Sequence, residues 1–201
     1  YGHWLSAGHG ILTLAQVISG EVEDQMQRRQ GAVNLLRNFI IEQELEAFPA
    51  VVVAPYITEG IESLVQCHGI GGLKPNTVLL GWPNEPAKAD VFGANLRVVS
   101  RLNCSIVALR LKFSPGTDDF DDAEQRMADV WSVPAGTIDV WWRGQKNGEL
   151  MLLLAHLLTL TPEWRHRTIR VLRIVDNETA AEEVEKHLVS LCEDSRIHAE
   201  S

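Results

Sequence analysis

The stretch at residues 60–83, GIESLVQCHGIGGLKPNTVLLGWP, constrains the fold of this chain more than any other. Apolar residues recur at helical spacing from Ile61 to His68, which predicts a helix with one apolar face. Gly69 follows this helix, at the C′ position where a left-handed residue without a Cβ is favoured. The short apolar run TVLL at 77–80 is typical of a strand covered on both faces. The stretch is therefore predicted to be one helix–strand unit of a parallel sheet.

The glycines of this stretch do not match a phosphate-binding loop. A dinucleotide fingerprint places its glycines between a strand and the following helix. Here Gly69, Gly71 and Gly72 lie between a helix and the following strand, at the amino edge of the predicted sheet. Ligands of open α/β sheets bind beyond the carboxyl ends of the strands. We therefore interpret the three glycines as structural, and the sequence GWPN at 81–84 as better placed for a ligand.

Strands and helices are predicted to alternate along the chain. The predicted strands cover residues 11–18, 50–54, 77–80, 104–111, 137–142, 168–175 and a last one from 197. The predicted helices cover residues 21–41, 61–68, 89–102, 148–158 and a segment capped by Thr179. Such alternation implies right-handed crossovers. We predict an α/β fold with a mostly parallel central sheet and helices on both faces, in a single domain of residues 1–201.

Composition excludes several classes of protein. The chain has 201 residues and a formal net charge of −9, so it lacks the basic surface that nucleic acids require. No apolar run approaches the roughly 20 residues of a membrane span, and no basic secretory start is present. Cys67, Cys104 and Cys192 are odd in number and far apart, which favours a reducing setting with each as a buried small residue. The chain opens without Met, and we expect a fragment of a longer protein.

No residue pattern indicates catalysis or metal binding. Residues 114–136 are acidic, but their spacing is not that of a calcium loop, and we predict an irregular solvated connection there. Neither a nucleophile elbow nor paired zinc-binding histidines occur. Asp139 lies between apolar residues of a predicted strand, so it is expected to be a buried, hydrogen-bonded acid. We predict no enzyme, no catalytic residues and no metal site.

Two blocks of sequence resemble the cation-chloride cotransporters, specifically their cytosolic C-terminal domain. The first block is EGI at 59–61 followed by GIGGLKPNTVLLGWPN at 69–84. The second is IDVWW at 138–142, then residues 148–158, Trp164 and IRV at 169–171, in the same order. The likeness extends over approximately residues 11–197. GWPN at 81–84 is more similar to the potassium-chloride branch of the family, whereas KPNT at 74–77 is also similar to the sodium-potassium-chloride branch.

The resemblance implies a regulatory and dimerising domain of a secondary transporter that moves chloride with sodium, potassium or both. Its fold would be similar to that of universal stress proteins, and the domain would not transport ions itself. Its partners would be its own transmembrane domain and a second copy, on the cytoplasmic side of the cell membrane. The alternative is a free-standing protein of the universal-stress type that binds an adenine nucleotide.

The resemblance also implies a position for a nucleotide, at the exits of the first three strands. The matching residues in this chain are Gly20, Ala54, Gly81 and Trp82. Many potassium-chloride relatives carry a Lys just after the second strand, but this chain has Pro55 and Tyr56 there. Neither residue offers a cation to a phosphate. We therefore expect binding of ATP or ADP to be weak or absent, and no cofactor to be required.

Tryptophan and arginine residues are the candidates for contact with a second copy. Trp164, Arg165 and Arg167 follow a proline in a predicted loop, and both residue types are enriched where interfaces carry most of their energy. Trp141 and Trp142 are adjacent in a strand and must point to opposite faces. Core packing beneath neighbouring helices is the alternative for these tryptophans. We predict that Trp164, Arg165 and Arg167 form the interface of a weak dimer.

Overall fold

A computed structural model describes residues 1–6, 8, 10–69, 71–111, 133, 135–143, 145–175 and 177–200. The described residues fall into two compact units. Of the described residues, the first unit contains Gly2 and those of 11–111, and the second contains Tyr1, residues 3–6, 8 and 10, and those of 133–200. The single domain of residues 1–201 stays a prediction.

The first unit alternates strands with helices. Its elements are β1 (Leu12–Ser19), α2 (Val22–Glu42), β2 (Ala47–Ala54), α3 (Ile57–Cys67), β3 (Thr77–Gly81), a 3-10 turn (Pro86–Lys88), α4 (Ala89–Arg101) and β4 (Ser105–Leu109). A short helix, α1 (Gly2–Ser6), precedes them in the chain. β1 pairs with β2 and β3 with β4, and both pairs are parallel.

Helices cover both faces of the β1–β2 pair. Ile18 packs with Ala32 of α2 and with Val51 of β2 in a buried cluster. The preceding residue, Val17, points to the opposite face because side chains alternate along a strand. There it meets α3 so closely that a Cβ on Gly60 would lie 2.3 Å from Val17 Cγ1. The predicted α/β fold with parallel strands and helices on both faces is confirmed for this pair.

The connection from α3 to β3 corrects the prediction made for the conformation of Gly69 and contains a hydrogen-bonded histidine. Gly69 does not adopt the left-handed conformation; Gly71 does, with φ of 60°. Gly69 is instead required by a close approach, because a Cβ there would lie 2.5 Å from the carbonyl oxygen of Leu73. His68 Nε2 lies 2.8 Å from Thr13 Oγ1 of β1, so His68 is a hydrogen-bonded structural residue.

The second unit is a three-stranded parallel sheet with two helices. Its elements are β5 (Ile138–Trp141), α5 (Gln145–Thr159), β6 (Ile169–Leu172), α6 (Glu178–Ser195) and β7 (Ala199–Glu200), and β6 is the middle strand. Its buried cluster comprises Val140, Trp142, Leu152, Ala155, Ile169, Val171, Leu188 and Cys192. Trp142 lies against Gly148 of α5, where a Cβ would come within 2.0 Å of the indole ring. Of the two adjacent tryptophans, Trp142 is thus in the core, whereas 58% of Trp141 is exposed.

Most predicted elements are confirmed, with ends shifted by a few residues. Three predictions differ from the structure. β2 begins at Ala47 and not at residue 50, so Pro49 lies inside this strand, where it is paired with Leu14 of β1. α6 begins at Glu178, so Thr179 is a helical residue and not the cap. The burial predicted for three cysteines holds for Cys192 alone, since Cys67 is exposed and Cys104 half-buried. The acidic connection at 114–136 lies largely outside the described residues.

Candidate functional site

The carboxyl ends of β1 and β2 bring Gly20 and Ala54 together. The Gly20 N–H donates a hydrogen bond of 3.0 Å to the Ala54 carbonyl oxygen. Gly20 has φ of 141°, and a Cβ there would lie 3.0 Å from the Gln25 side chain, so this turn needs glycine. Ala54 is buried. Both predicted residues are therefore at a strand exit, and their mutual hydrogen bond closes the end of the ladder.

The carboxyl ends of β3 and β4 position the other two predicted residues. Gly81 is paired with Leu109, and the following Trp82 N–H donates a 2.7 Å hydrogen bond to the Leu109 carbonyl oxygen. The Trp82 indole packs on Phe92 of α4 with ring centroids 5.3 Å apart, and 49% of it is exposed. A Cβ on Gly81 would meet nothing within 4 Å. Gly81 therefore faces open space, and the aromatic surface of Trp82 and Phe92 begins at the next residue of the chain.

The electrostatics of these exits are poor for a phosphate. The N–H groups of Gly20 and Trp82 already donate to carbonyl oxygens of the chain. Pro55 has no N–H, and the exposed Tyr56 precedes α3 without capping it through its side chain. Glu59 in the first turn of α3 places a negative charge where an anion would bind. The nucleotide site at Gly20, Ala54, Gly81 and Trp82 stays a prediction, as does the expectation that binding is weak or absent.

Two shallow grooves lie away from the predicted nucleotide residues. One, of about 340 Å³, runs between α2 and β2 and is lined by Val22, Met26, Arg29 and the valines at 51–53. The other, of about 400 Å³, lies on α6 and is lined mostly by charged and polar residues, among them Glu182, Lys186 and Glu193. Neither groove includes Gly20, Ala54, Gly81 or Trp82.

Trp164, the central residue of the predicted interface, is 7% exposed. Its ring packs on Trp4 of α1 at 5.4 Å and on Tyr1 at 6.3 Å between centroids. Its Nε1 atom is buried without a hydrogen-bond partner in the described part of the chain. The interface role of Trp164, Arg165 and Arg167 stays a prediction, but little of the Trp164 indole is left for a partner. The exposed Arg165 is better placed to meet one.

Sequence reasoning missed an ion pair on the outer face of the second unit. Asp139 accepts hydrogen bonds from Arg170 Nε at 2.9 Å and Arg170 Nη2 at 2.7 Å, and from the Thr137 hydroxyl at 2.6 Å. The bonds from Arg170, then the bond from Thr137, hold the pKa of the Asp139 carboxyl below its usual value. Asp139 is hydrogen-bonded as predicted but exposed, so the prediction of its burial is wrong. It lies on the same face of β5 as the exposed Trp141, two residues on.

The described residues contain neither a cluster of metal ligands nor a helix that could span a membrane. There, no three histidine, cysteine, aspartate or glutamate side chains lie close enough together to hold a metal ion. Among the described helices, none combines the length and the apolar character needed to cross a membrane.

One family model matches both of the sequence blocks described above. The family model described as solute carrier family 12 matches residues 1–96 and 127–201. The chain is 29% identical over 194 residues to cation-chloride cotransporter 1 of Oryza sativa subsp. japonica, and 27% identical to cation-chloride cotransporter 1 of Arabidopsis thaliana. Each match covers 96% of this chain and 19% of the relative. The chain thus spans about a fifth of the length of these relatives.

A solved structure shares the fold. It is described as the cytoplasmic domain of a prokaryotic cation chloride cotransporter. The match has a TM-score of 0.59 and 14% identity, and covers 96% of this chain and 67% of the other. At 14% identity, this match shows a shared fold and no more.

Proposed function

The chain belongs to solute carrier family 12, and on that premise we propose that it is the cytosolic regulatory and dimerising domain of a cation-chloride cotransporter. The longer protein would move chloride together with sodium, potassium or both, and this domain would not carry ions itself. The observation that carries the proposal is the family match over both units of the chain. The names of the curated relatives and the fold of the prokaryotic cytoplasmic domain support it.

A regulatory role without catalysis fits the sites described above. The described strand exits hold hydrogen-bonded backbone at Gly20 and Trp82 and a half-exposed Trp82 packed on Phe92. The partners we propose are the transmembrane domain of the same protein and a second copy of this domain. The alternative of a free-standing nucleotide-binding protein has less support, because two N–H groups at the strand exits already have acceptors.

Ion flux tests the proposal. The longer protein, reconstituted in lipid vesicles, should take up chloride only when sodium or potassium is also present. Deleting the region that corresponds to this chain should change the rate of that uptake while the remaining membrane domain stays folded. Chloride uptake that needs no cation would refute the cotransporter, and uptake unchanged by the deletion would refute the regulatory role.

Calorimetric titration with ATP and ADP tests the nucleotide prediction. Because Pro55 and Tyr56 supply no cation and Glu59 adds a negative charge, we expect no heat of binding at micromolar nucleotide. A matched variant, Tyr56→Lys, offers the missing cation at an exposed position and should bind more tightly if phosphate recognition is what the site lacks. Micromolar affinity of the unmodified chain, lost in Trp82→Ala, would contradict the prediction.

A further inference from the structure

The strands of the first unit form two separate pairs. β1 pairs with β2 and β3 with β4, and no ladder joins β1 to β3 although both strands are described throughout. Each of these four strands therefore has one paired edge and one free edge. Free edges on apolar parallel strands are unusual, because such strands are normally buried between neighbours.

The strands of the second pair are more exposed than is usual for strands of such apolar sequence. β3 and β4 read TVLLG and SIVAL, yet no residue in either strand is buried, and Leu79 is 38% exposed. β6 shows what a flanked strand looks like in the same chain. It lies between β5 and β7, and its Ile169 and Val171 are exposed by only 3% and 1%. The contrast indicates that β3 lacks a neighbour.

The helices nevertheless continue across the interruption. α3 packs on β1 and β2, and α4 packs on β4. The two helices are joined by a hydrogen bond of 2.8 Å from Thr58 Oγ1 to Asn95 Oδ1, and Asn95 is buried. A continuous helical layer over an interrupted strand layer is expected when one strand is missing from the middle of a sheet.

Gly2 shows that β1 and β3 lie near each other. A Cβ on Gly2 would lie 3.1 Å from Leu12 Cδ1 of β1 and 3.8 Å from Leu79 Cδ2 of β3. Side chains from both strands therefore reach one residue, although the strands share no ladder. Strands that are second neighbours in a sheet lie about 10 Å apart, a distance that two leucine side chains can bridge.

We infer that the gap between β1 and β3 receives a parallel β-strand from the segment that precedes Tyr1 in the longer protein. α2 and α3 lie on opposite faces of β1, so the crossovers to β2 and to β3 run in opposite directions across the sheet. In a doubly wound sheet of that kind, the strand in the middle comes first in the sequence. With an upstream strand in the gap, the sheet order is β2, β1, the upstream strand, β3 and β4, so the first strand in sequence lies in the middle. The relatives are about five times longer than this chain, so a longer protein can supply such a strand.

The inserted strand also completes the ligand crevice of the first unit. In doubly wound sheets the crevice lies at the point where the strand order reverses, beyond the carboxyl ends. That point falls between the inserted strand and β3, beside Gly81 and Trp82. The inference rests on the proposed function only in requiring a longer protein; it does not depend on which ions are moved.

Hydrogen exchange measured by mass spectrometry tests the inference. The 201-residue chain is compared with the longer protein, using peptides that cover β1, β3 and β6. We expect amides of β1 and β3 to exchange at least about tenfold more slowly in the longer protein, because the new strand pairs with both free edges. β6 is the control, since it already has two neighbours and should be unchanged. Equal exchange of β1 and β3 in the two proteins would overturn the inference.

The same experiment distinguishes another occupant. If protection of β1 and β3 in the 201-residue chain rises with its concentration, a second copy fills the gap and the assignment to the upstream segment is wrong. Failure here leaves the proposed function untouched, because that function is measured by chloride flux.

A pair of variants of the longer protein provides a test that does not need the isolated chain. Leu79→Asp would place a charge beside the inserted strand, whereas Leu35→Asp changes a residue of α2 that is 71% exposed. We expect Leu79→Asp to raise the unfolding equilibrium constant at least about tenfold and Leu35→Asp to change it by about twofold or less. Equal effects of the two substitutions would show that Leu79 stays exposed and that the gap is empty.

Discussion

In the second unit, position 148 requires glycine because a side chain there would meet Trp142. A Cβ on Gly148 would fall 2.0 Å from the ring of Trp142, which is buried in the core of the unit. We expect Gly148→Ala to lower the free energy of unfolding by about 1–3 kcal/mol, as overpacking does. Urea denaturation measures this.

The matched control is a glycine in another helix. Gly31 lies inside α2, is exposed, and would offer its Cβ open space. Gly31→Ala should therefore raise the free energy of unfolding by about 0.5–1 kcal/mol. A Gly148→Ala variant as stable as Gly31→Ala would show that Trp142 does not pack where the structure places it.

Asp139 makes the outer face of the second unit sensitive to acid. Because hydrogen bonds from Arg170 and Thr137 lower its pKa in the folded state, the pair stabilises the fold above the ordinary carboxyl value of about 3.9. That contribution disappears as pH falls through the lowered folded-state pKa. An NMR titration of the carboxyl carbon should find a value below the ordinary one.

Two substitutions show where that shift comes from. Arg170→Ala should return the pKa of Asp139 most of the way to its ordinary value, and Thr137→Val should do so by less, following the order of the two causes. An unshifted carboxyl in the unmodified protein would mean that the exposed ion pair is not held in solution.

At the scale of elements, α3 and α4 are connected by a buried polar contact. Asn95 is 7% exposed and accepts its hydrogen bond from Thr58. Thr58→Val should cost about 1–3 kcal/mol of unfolding free energy, because it leaves the Asn95 carbonyl buried without this donor. A double-mutant cycle with Asn95→Ala, followed by urea denaturation, should give a coupling of about 0.5–1.5 kcal/mol.

An exposed hydrogen bond on α2, on the other face of the β1–β2 pair, serves as the comparison. Gln30 Nε2 donates to Asn34 Oδ1 at 3.3 Å on the surface of α2. Gln30→Ala should change stability by no more than about 0.5 kcal/mol. A Thr58–Asn95 coupling near zero would mean that the two helices are held by apolar packing alone.

At the scale of the whole molecule, the prediction is a weak, concentration-dependent dimer. Membrane helices of the longer protein would hold two copies close together, and the isolated chain lacks that advantage. Sedimentation over a wide concentration range should show association that Arg165→Ala combined with Arg167→Ala weakens. Arg173→Ala, a change at another exposed arginine of the same unit, should have no effect.

Trp164→Ala is a poor probe of that dimer. The indole is buried against Trp4 and Tyr1, so its truncation should cost about 3–5 kcal/mol of folding free energy whether or not a dimer forms. A chain that stays monomeric at the highest concentration reached would refute dimerisation of the isolated chain. A dimer unaffected by the two arginine substitutions would place the contact elsewhere.

The sequence by itself determined the order and type of most elements and the family. Apolar periodicity, glycines and prolines act over a few residues, so the α3–β3 unit and its neighbours follow from local spacing. The candidate nucleotide residues were also placed correctly at strand exits, because parallel strands end at one edge. Pro55 and Tyr56, which offer no cation to a phosphate, were also visible in the sequence, and weak nucleotide binding stays a prediction.

Only the tertiary structure decided which side chains meet. Arg170 and Asp139 are 31 residues apart and Thr13 and His68 are 55 apart, and no local pattern encodes either pair. The burial of Trp164 depends on Tyr1 and Trp4 from the opposite end of the chain. The need for glycine at position 69 comes from the Leu73 carbonyl, not from its own φ. Periodicity gives the face of an element, but what covers that face is set by long-range packing.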